Sequence, residues 1–332
     1  MIALGIETSC DDTSVGIVDQ SGRILSQFRA SQDRVHKEWG GIVPELASRA
    51  HLENIIPVID IAIKEAGITV ADIDLLVCAY GPGLVGSLLV GIETTKALAL
   101  AWKKPLVGVN HLRGHIAAVM LAKPNIEMPS LGLLISGGHS EILFVEPDYS
   151  VTIIGETRDD AAGETLDKFG RVLGLSYPAG PEIDRMASIG DTNAIHFPIT
   201  RMKDGGSDFS FSGLKTAGVK AIEKFPQMRK EDLAASFMKA VADQLLDKLV
   251  QATEKVEAKS LFAVGGVASS AYIRDRLNKL GDSLGLTVNI PPPSLCTDNG
   301  TMIAYAGLQY HQLGHKSSMD LYPVSRLSVV SM

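Results

Sequence analysis

Three short alternating runs joined by tight turns, then helix–strand alternation, occur twice in this chain. That repeated order restricts the possible folds more than any other feature. The first copy is "IALGIETS", an aspartate-rich turn, then "SVGIVDQSGRILSQFRAS". Its "DQSG" between two alternating runs is a hairpin signal, so three consecutive antiparallel strands are expected. A long amphipathic helix follows, "VPELASRAHLENIIPVIDIAIKEAG". In it Leu52, Ile56, Ile59 and Ile63 recur at helical spacing, a glycine closes it, and Pro57 predicts a kink or a break. Then come strand "IDLLVCAY", loop "GPGLVG", helix "SLLVGIETTKALALAWKK" and strand "PLVGVN". The second copy opens with "SLGLLISGGHSEILFVEPDYSVTIIGET". It continues through helical segments, strand "SLFAVGG", helix "SAYIRDRLNKLGDSLG" and strand "TVNIPP". The parallel lies in the order of elements, not in residue identity.

A chain of 332 residues is expected to form two domains, because single cores stop growing below this size. The 32 glycines and 5% aromatic residues suit an α/β enzyme with many tight turns. Cys10, Cys78 and Cys296 lie far apart and form no CxxC. This argues against a disulfide framework and for a reducing cytoplasm. No basic n-region opens the chain and no apolar run near 18 residues is evident, so neither a leader nor a membrane span is expected. The net charge of −7 gives no general attraction for nucleic acid. Binding a polyanion would need a local basic patch or a basic partner.

Several glycine loops stand where ligands bind in α/β proteins. "GPGLVG" (81–86) follows a strand and precedes a helix, the context of a dinucleotide site. The next strand ends in Asn110, with no acid to hold a ribose, so a tight strand-to-helix turn is the better reading. No P-loop motif occurs. Gly137-Gly138 lies between two strands, where backbone amides can approach a phosphate. Gly265-Gly266 stands between a strand and a helix, with Ser269 and Ser270 beside it, and "YPAGPEID" adds Gly180. These glycines together point to one nucleotide site in the second half.

Two HxxxH pairs are present. Positions four apart lie about 40° apart around a helix, so both imidazoles reach one cation. His111 and His115 start a predicted helix, and Asp298 in "LCTDNGTMIAYAG" is a candidate third ligand. "HLRGH" has Leu112 where a zinc protease carries its catalytic glutamate, which disfavours that class. The second pair, His311 and His315, lies at a helix C-terminus with Gly314 placed as its cap, and is read as structural. The first turn, "ETSCDDTSVG", carries Glu7, Asp11 and Asp12.

The doubled meander and helix–strand order resembles the actin-like ATPase superfamily, two ribonuclease-H-like lobes around a nucleotide and metal cleft. The motifs "GIETSCDDTSVGIVD", "GGIVPELASRAH", "GPGLVGSLLVG", "NHLRGH", "LISGGHSEI", "DDAAGETLDKFGRVLGL", "YPAGPEID", "DFSFSGLKTA", "GGVASS" and "CTDNGTMIA" narrow it. In this order they resemble the universal tRNA threonylcarbamoyl-adenosine transferases of the bacterial TsaD type, a family formerly described as glycoproteases. The likeness covers nearly the whole chain.

The resemblance implies transfer of a threonylcarbamoyl group from threonylcarbamoyl-AMP to the N6 amine of the adenosine beside the anticodon, in tRNAs reading codons that begin with adenine. It implies one divalent metal per chain, iron or else zinc, on His111, His115 and Asp298. It implies adenine-nucleotide and substrate contacts at Leu134, Ile135, Ser136, Gly137, Gly138 and Asp167. Gly180, Asp184, Gly265, Gly266 and Ser270 complete that set. Ser270 stands where the family usually has asparagine, and a serine bonds a ribose with less reach. In an actin-like cleft the first hairpin faces the transferring end of the ligand, which makes Asp11 and Asp12 the candidate catalytic carboxylates. Asp11-Asp12 replaces the family's frequent Asp-Glu. The implied partners are tRNA, a TsaB-like inactive paralogue forming a heterodimer, a TsaE-like ATPase, and a separate synthase supplying the donor. The expected lobes are 1–128 with 299–332, and 129–298. Two other classes fit the same fold, an ATP-dependent small-molecule kinase and a noncatalytic nucleotide-binding scaffold. Neither requires the His–His–Asp set.

Overall fold

The structure is a computed structural model, and it describes residues 1–200 and 206–331. In chain order the elements begin β1 (Ile2–Glu7), β2 (Asp12–Asp19), β3 (Ile24–Ser31), α1 (Asp33–Lys37), α2 (Pro44–Ala66), β4 (Leu75–Gly81), α3 (Val85–Trp102), β5 (Leu106–Asn110) and α4 (His111–Ala122). They continue β6 (Ser130–Ile135), β7 (Ser140–Val145), β8 (Val151–Glu156), α5 (Ala162–Leu173), α6 (Gly180–Ala187), α7 (Ser212–Lys224) and α8 (Lys230–Thr253). The last are β9 (Ser260–Val264), α9 (Ala271–Leu284), β10 (Thr287–Asn289), α10 (Pro293–Cys296) and α11 (Gly300–Gln312).

Two compact units result, Met1–Pro124 with Thr297–Met332, and Asn125–Cys296. The crossings thus fall a few residues before the expected 128/129 and 298/299. The reason at the second crossing is visible: the Gly300 amide donates to Ser14 Oγ on β2 at 3.0 Å, which draws the lead-in of α11 into unit 1. Asp298 therefore belongs to the unit that carries the histidines. Each unit is built on a five-stranded sheet, in the order β3-β2-β1-β4-β5 or β8-β7-β6-β9-β10. In both, an antiparallel meander is extended by two parallel strands. Unit 2 packs a helical layer on its sheet around Phe169 and Phe237, whose rings stack 3.8 Å apart.

Helix α11 lies directly on the β1–β2 pair. Gly5 and Gly16 are cross-strand partners, and a Cβ on either would strike the α11 backbone; one on Gly300 would strike Val15 and Gly16. Only backbone fits at that crossing. The "GPGLVG" glycines serve close packing too. A Cβ on Gly83 would strike the Ser9 carbonyl, which accepts a 2.8 Å hydrogen bond from the Leu84 amide.

Three expectations are corrected. Pro57 does not break α2, which runs unbroken to the left-handed cap Gly67. Pro57 is exposed, so the carbonyl deprived of its donor faces water. The buried stripe of α2 is Ala47, His51, Ile55, Val58, Ile59 and Ala62, while Leu52 and Ile56 are 65% and 58% exposed. Finally, α3 is long and apolar enough by composition to cross a membrane. It packs instead on β4 and α2, with Leu88, Val90, Ile92 and Ala99 buried.

Candidate metal centre and nucleotide loops

Strand β5 delivers the histidines. Its last residue, Asn110, caps α4 by accepting from the Leu112 amide at 2.9 Å, which makes His111 the first helical residue and puts His115 one turn on. Asp298 arrives from the lead-in to α11, whose start is fixed by Asn299 Oδ1 accepting from the Met302 amide at 2.8 Å. Asp298 Oδ1 stands 3.2 Å from His115 Nε2 and 3.6 Å from His111 Nε2. The three prospective ligand atoms lie within 4.8 Å of one another, and among the described residues this is the one such group.

The donor set fits a cation. His115 is fully buried, its Nε2 faces the Asp298 carboxylate at 3.2 Å, and its Nδ1 has no hydrogen-bonded partner. Burying an unsatisfied imidazole costs free energy, of order 1–3 kcal/mol per polar atom, unless something accepts its lone pair. A divalent metal between Nε2 of both histidines and Oδ1 of Asp298 would do so. Glu7 supports this arrangement from behind. It is fully buried at the end of β1, and its Oε2 stands 2.8 Å from His111 Nδ1. That contact fixes a proton on Nδ1, so Nε2, which faces Asp298, is the nitrogen a cation would take in place of its proton. The other Glu7 oxygen accepts from the Ser9 amide at 2.5 Å, and Ser9 Oγ lies 3.1 Å from the same Nδ1.

Charges in this region are strongly coupled. Burial works against a charged His111, but the carboxylates of Glu7 and Asp298 outweigh it and raise its pKa to about 9. Burial works against a charged Asp298 as well, yet His111 and His115 hold it well below the usual carboxylate range. Burial raises Asp11 to about 6, helped by the Asp298 charge. It raises Asp12 to about 7 despite Arg29 at 3.0 Å. The two turn carboxylates thus differ in employment. Asp12 opens β2 and is tied to Arg29 on β3, whereas the neighbour that offsets the effect of burial at Asp11 is the Cys10 thiol.

Unit 2 gathers the glycine loops. Gly137 and Gly138 turn β6 into β7, Gly180 begins α6, and Gly266 follows β9. A Cβ at any of these four would meet nothing within 4 Å, so there is room beside each for a ligand. Gly265 is different: its φ of +90° and its closeness to the Ile135 carbonyl, the end of β6, make it a packing glycine. Leu134 and Ile135 are buried in β6, and Ser136 accepts from the Gly163 amide, drawing α5 to the same turn.

The polar residues assigned here by resemblance have partners within the unit. Asp167 Oδ1 accepts from the Ala179 amide at 2.7 Å, and burial raises its pKa. Ser270 caps α9, accepting from the Ile273 amide at 3.2 Å and donating to Asp184 Oδ1 at 2.5 Å. Asp184 also accepts from the Ala271 and Tyr272 amides. Ser270 and Asp184 together are the N-terminal cap of α9.

His311 and His315 gather no such partners. Gly314 has a φ of +88° and ends the α11 region, and His315 lies exposed beyond it. Sequence reasoning placed Glu7 in the first turn but did not assign it to the histidines. The available signal was a carboxylate closing "IALGIE", a strand buried on both faces, where a charge needs a partner.

A family model described as tRNA N6-adenosine threonylcarbamoyltransferase matches residues 23–305. A protein of that name from Thermosipho africanus is 46% identical over 331 residues, 99% of this chain and 100% of that protein. One from Moorella thermoacetica is 46% identical over 313 residues, covering 93% and 91%. Among solved structures, full-length HypF in its phosphate- and nucleotide-bound form gives a TM-score of 0.62 at 14% identity, covering 95% of this chain and 56% of that one. Component A of the Acidaminococcus fermentans (R)-2-hydroxyglutaryl-CoA dehydratase gives 0.57 at 14% identity, covering 94% and 99%. These two likenesses concern the fold alone, the actin-like one.

Proposed function

The chain belongs to the tRNA N6-adenosine threonylcarbamoyltransferase family and is a tRNA-modifying acyltransferase, and from this premise we propose that its acyl donor is threonylcarbamoyl-AMP and its acceptor the N6 amine of the adenosine beside the anticodon, in tRNAs reading codons that begin with adenine. The observation that carries the reading is the buried His115, its Nε2 against the Asp298 carboxylate and His111 beside it, three donor atoms within 4.8 Å of one another. A kinase of the same fold would leave that buried imidazole without a purpose.

The donor is a mixed carbamic–phosphoric anhydride and is already activated. The amine nitrogen attacks the carbamoyl carbon, the bond from that carbon to the phosphate oxygen breaks, AMP leaves, and one proton must be taken from the amine. A divalent metal, iron or zinc, held by His111, His115 and Asp298 would supply Lewis-acid stabilisation of charge on donor oxygens. Asp11 is the proton acceptor and orients the amine; a pKa near 6 suits that task at neutral pH, and groups of this kind contribute about 10²–10⁴ in rate. The loops at Gly137 and Gly138, with Gly180 and Gly266, have room beside the chain and bind the adenine nucleotide. Positioning does most of the remaining work.

A chain of net charge −7 needs help to hold tRNA. The partners are a TsaB-like paralogue, for which exposed Leu52 and Ile56 offer apolar surface, and a TsaE-like ATPase, with donor made by a separate synthase in the cytoplasm. The test is nucleoside analysis of tRNA after incubation with threonylcarbamoyl-AMP, with and without those partners. Threonylcarbamoyladenosine should form and should be lost in His111→Ala. Gly137→Val, which meets no neighbour in the fold, should keep its melting temperature and lose affinity for ATP. Failure to modify tRNA under every partner combination, with phosphorylation of a small molecule by ATP instead, overturns the proposal.

A further inference from the structure

Helix α2 reaches the Asp11 turn through one side chain. His51 is fully buried; its Nε2 lies 3.1 Å from the Cys10 carbonyl oxygen and its Nδ1 lies 2.7 Å from Thr13 Oγ1. A carbonyl only accepts, so Nε2 must carry the proton. Burial lowers the His51 pKa and keeps the ring neutral, which leaves Nδ1 as the acceptor of the Thr13 hydroxyl. Both ring nitrogens are used and the tautomer is fixed. The bonded carbonyl belongs to the peptide that links Cys10 to Asp11. A peptide is planar, so fixing its carbonyl also aims the Asp11 N–H, which points the opposite way. The Asp11 side chain springs from the Cα at the end of that same peptide, so its direction follows the peptide plane.

We propose that His51 is a positioning residue for the transfer: through Nε2–H and the Cys10 carbonyl it orients the Cys10–Asp11 peptide and thereby the Asp11 carboxylate. The turn is held independently at Ser9, by the Leu84 amide, and at Asp12, by Arg29. Between them, His51 holds the one peptide that faces Asp11. The catalytic half of this statement rests on the role given to Asp11 above; the orientation of the peptide does not.

Cys10 is a built-in reporter, because it is partly exposed whereas Cys78 and Cys296 are buried. The experiment measures the rate of alkylation of each cysteine by mass spectrometry in the full-length, metal-loaded protein, alongside kcat and KM for tRNA modification. The variants are His51→Ala, His51→Asn and His51→Gln. Glutamine places an amide N–H where Nε2 was; asparagine reaches only to the level of Nδ1. Alkylation of Cys10 alone should rise about tenfold in the alanine and asparagine variants, the shift expected from losing one buried hydrogen bond, and glutamine should restore it. In parallel kcat should fall more than KM changes, with metal content constant. An unchanged Cys10 rate in His51→Ala overturns the proposal. So does a parallel rise at all three cysteines, which makes His51 a packing residue. A selective rise at Cys10 with kcat unaltered supports the positioning of the turn and overturns the assignment of Asp11 instead.

Discussion

Glu7 offers no atom to the prospective ligand set, yet it decides which nitrogen of His111 is free. With its carboxylate on Nδ1, Nε2 is the nitrogen left for a cation. Glu7→Gln keeps an acceptor oxygen and loses the charge, so metal affinity measured by chelator competition should fall by about 10–100-fold. His111→Ala should remove the metal and His311→Ala should leave it in place. Equal loss from both histidine variants would sink the assignment of the two pairs. The spacing of His111 and His115 was legible because a helix turns every 3.6 residues, and Asp298 stood out as a carboxylate just ahead of a predicted helix. Glu7 was not assignable to His111, because the two are 104 positions apart and meet only through strand register and helix packing. The contact of Ser270 with Asp184 was hidden for a related reason: no local pattern announces a partner 86 residues away.

Helix α11 shows how an element sets a side chain. It rests on Gly5 and Gly16 with backbone against backbone, and its lead-in carries Asp298 to the histidines. Gly16→Ala should push the helix start off the sheet. The expected cost is about 1–3 kcal/mol in denaturant unfolding, together with weaker metal retention as Asp298 moves. Unfolding and metal affinity both unchanged would show that the crossing is not tight. Strands, hairpin and most helices could be read from alternation and turn residues. The buried face of α2 could not, since its apolar residues run around more than one side: Ile55, Val58, Ile59 and Ala62 face the interior while Leu52 and Ile56 face outward. Periodicity counts apolar positions and cannot say which stripe the sheet covers.

Across the whole molecule, the coupled groups of unit 1 predict how stability responds to pH once metal is chelated. Asp11 and Asp12 have raised pKa values of about 6 and 7, so the folded state holds protons that the unfolded state releases from about pH 4. Stability from this source falls as pH rises through that window. His111, raised to about 9, stabilises fully below about pH 6.5 and loses that contribution up to about 9. Asp298 is depressed, so its contribution is present above about pH 4 and is lost only as pH falls further. The melting temperature of the chelated protein should therefore decline from about pH 4 to 9, and Asp12→Asn should flatten the part below pH 7. A rise across this range would contradict the charge assignments.

The path of the chain through the two units also bears on biosynthesis. Residues 1–124 hold both histidines and their supporting glutamate, but the carboxylate that joins them lies at 298, beyond all of unit 2. A nascent polypeptide on the ribosome therefore cannot bring the three candidate ligands together until all of unit 2 has been translated. A product of premature termination carries the histidine pair without Asp298 and without the helix that covers β1 and β2. Loading of an ion on all three residues would be deferred by topology until unit 2 is made, and a chain aborted before residue 298 would lack one of the three groups to retain it.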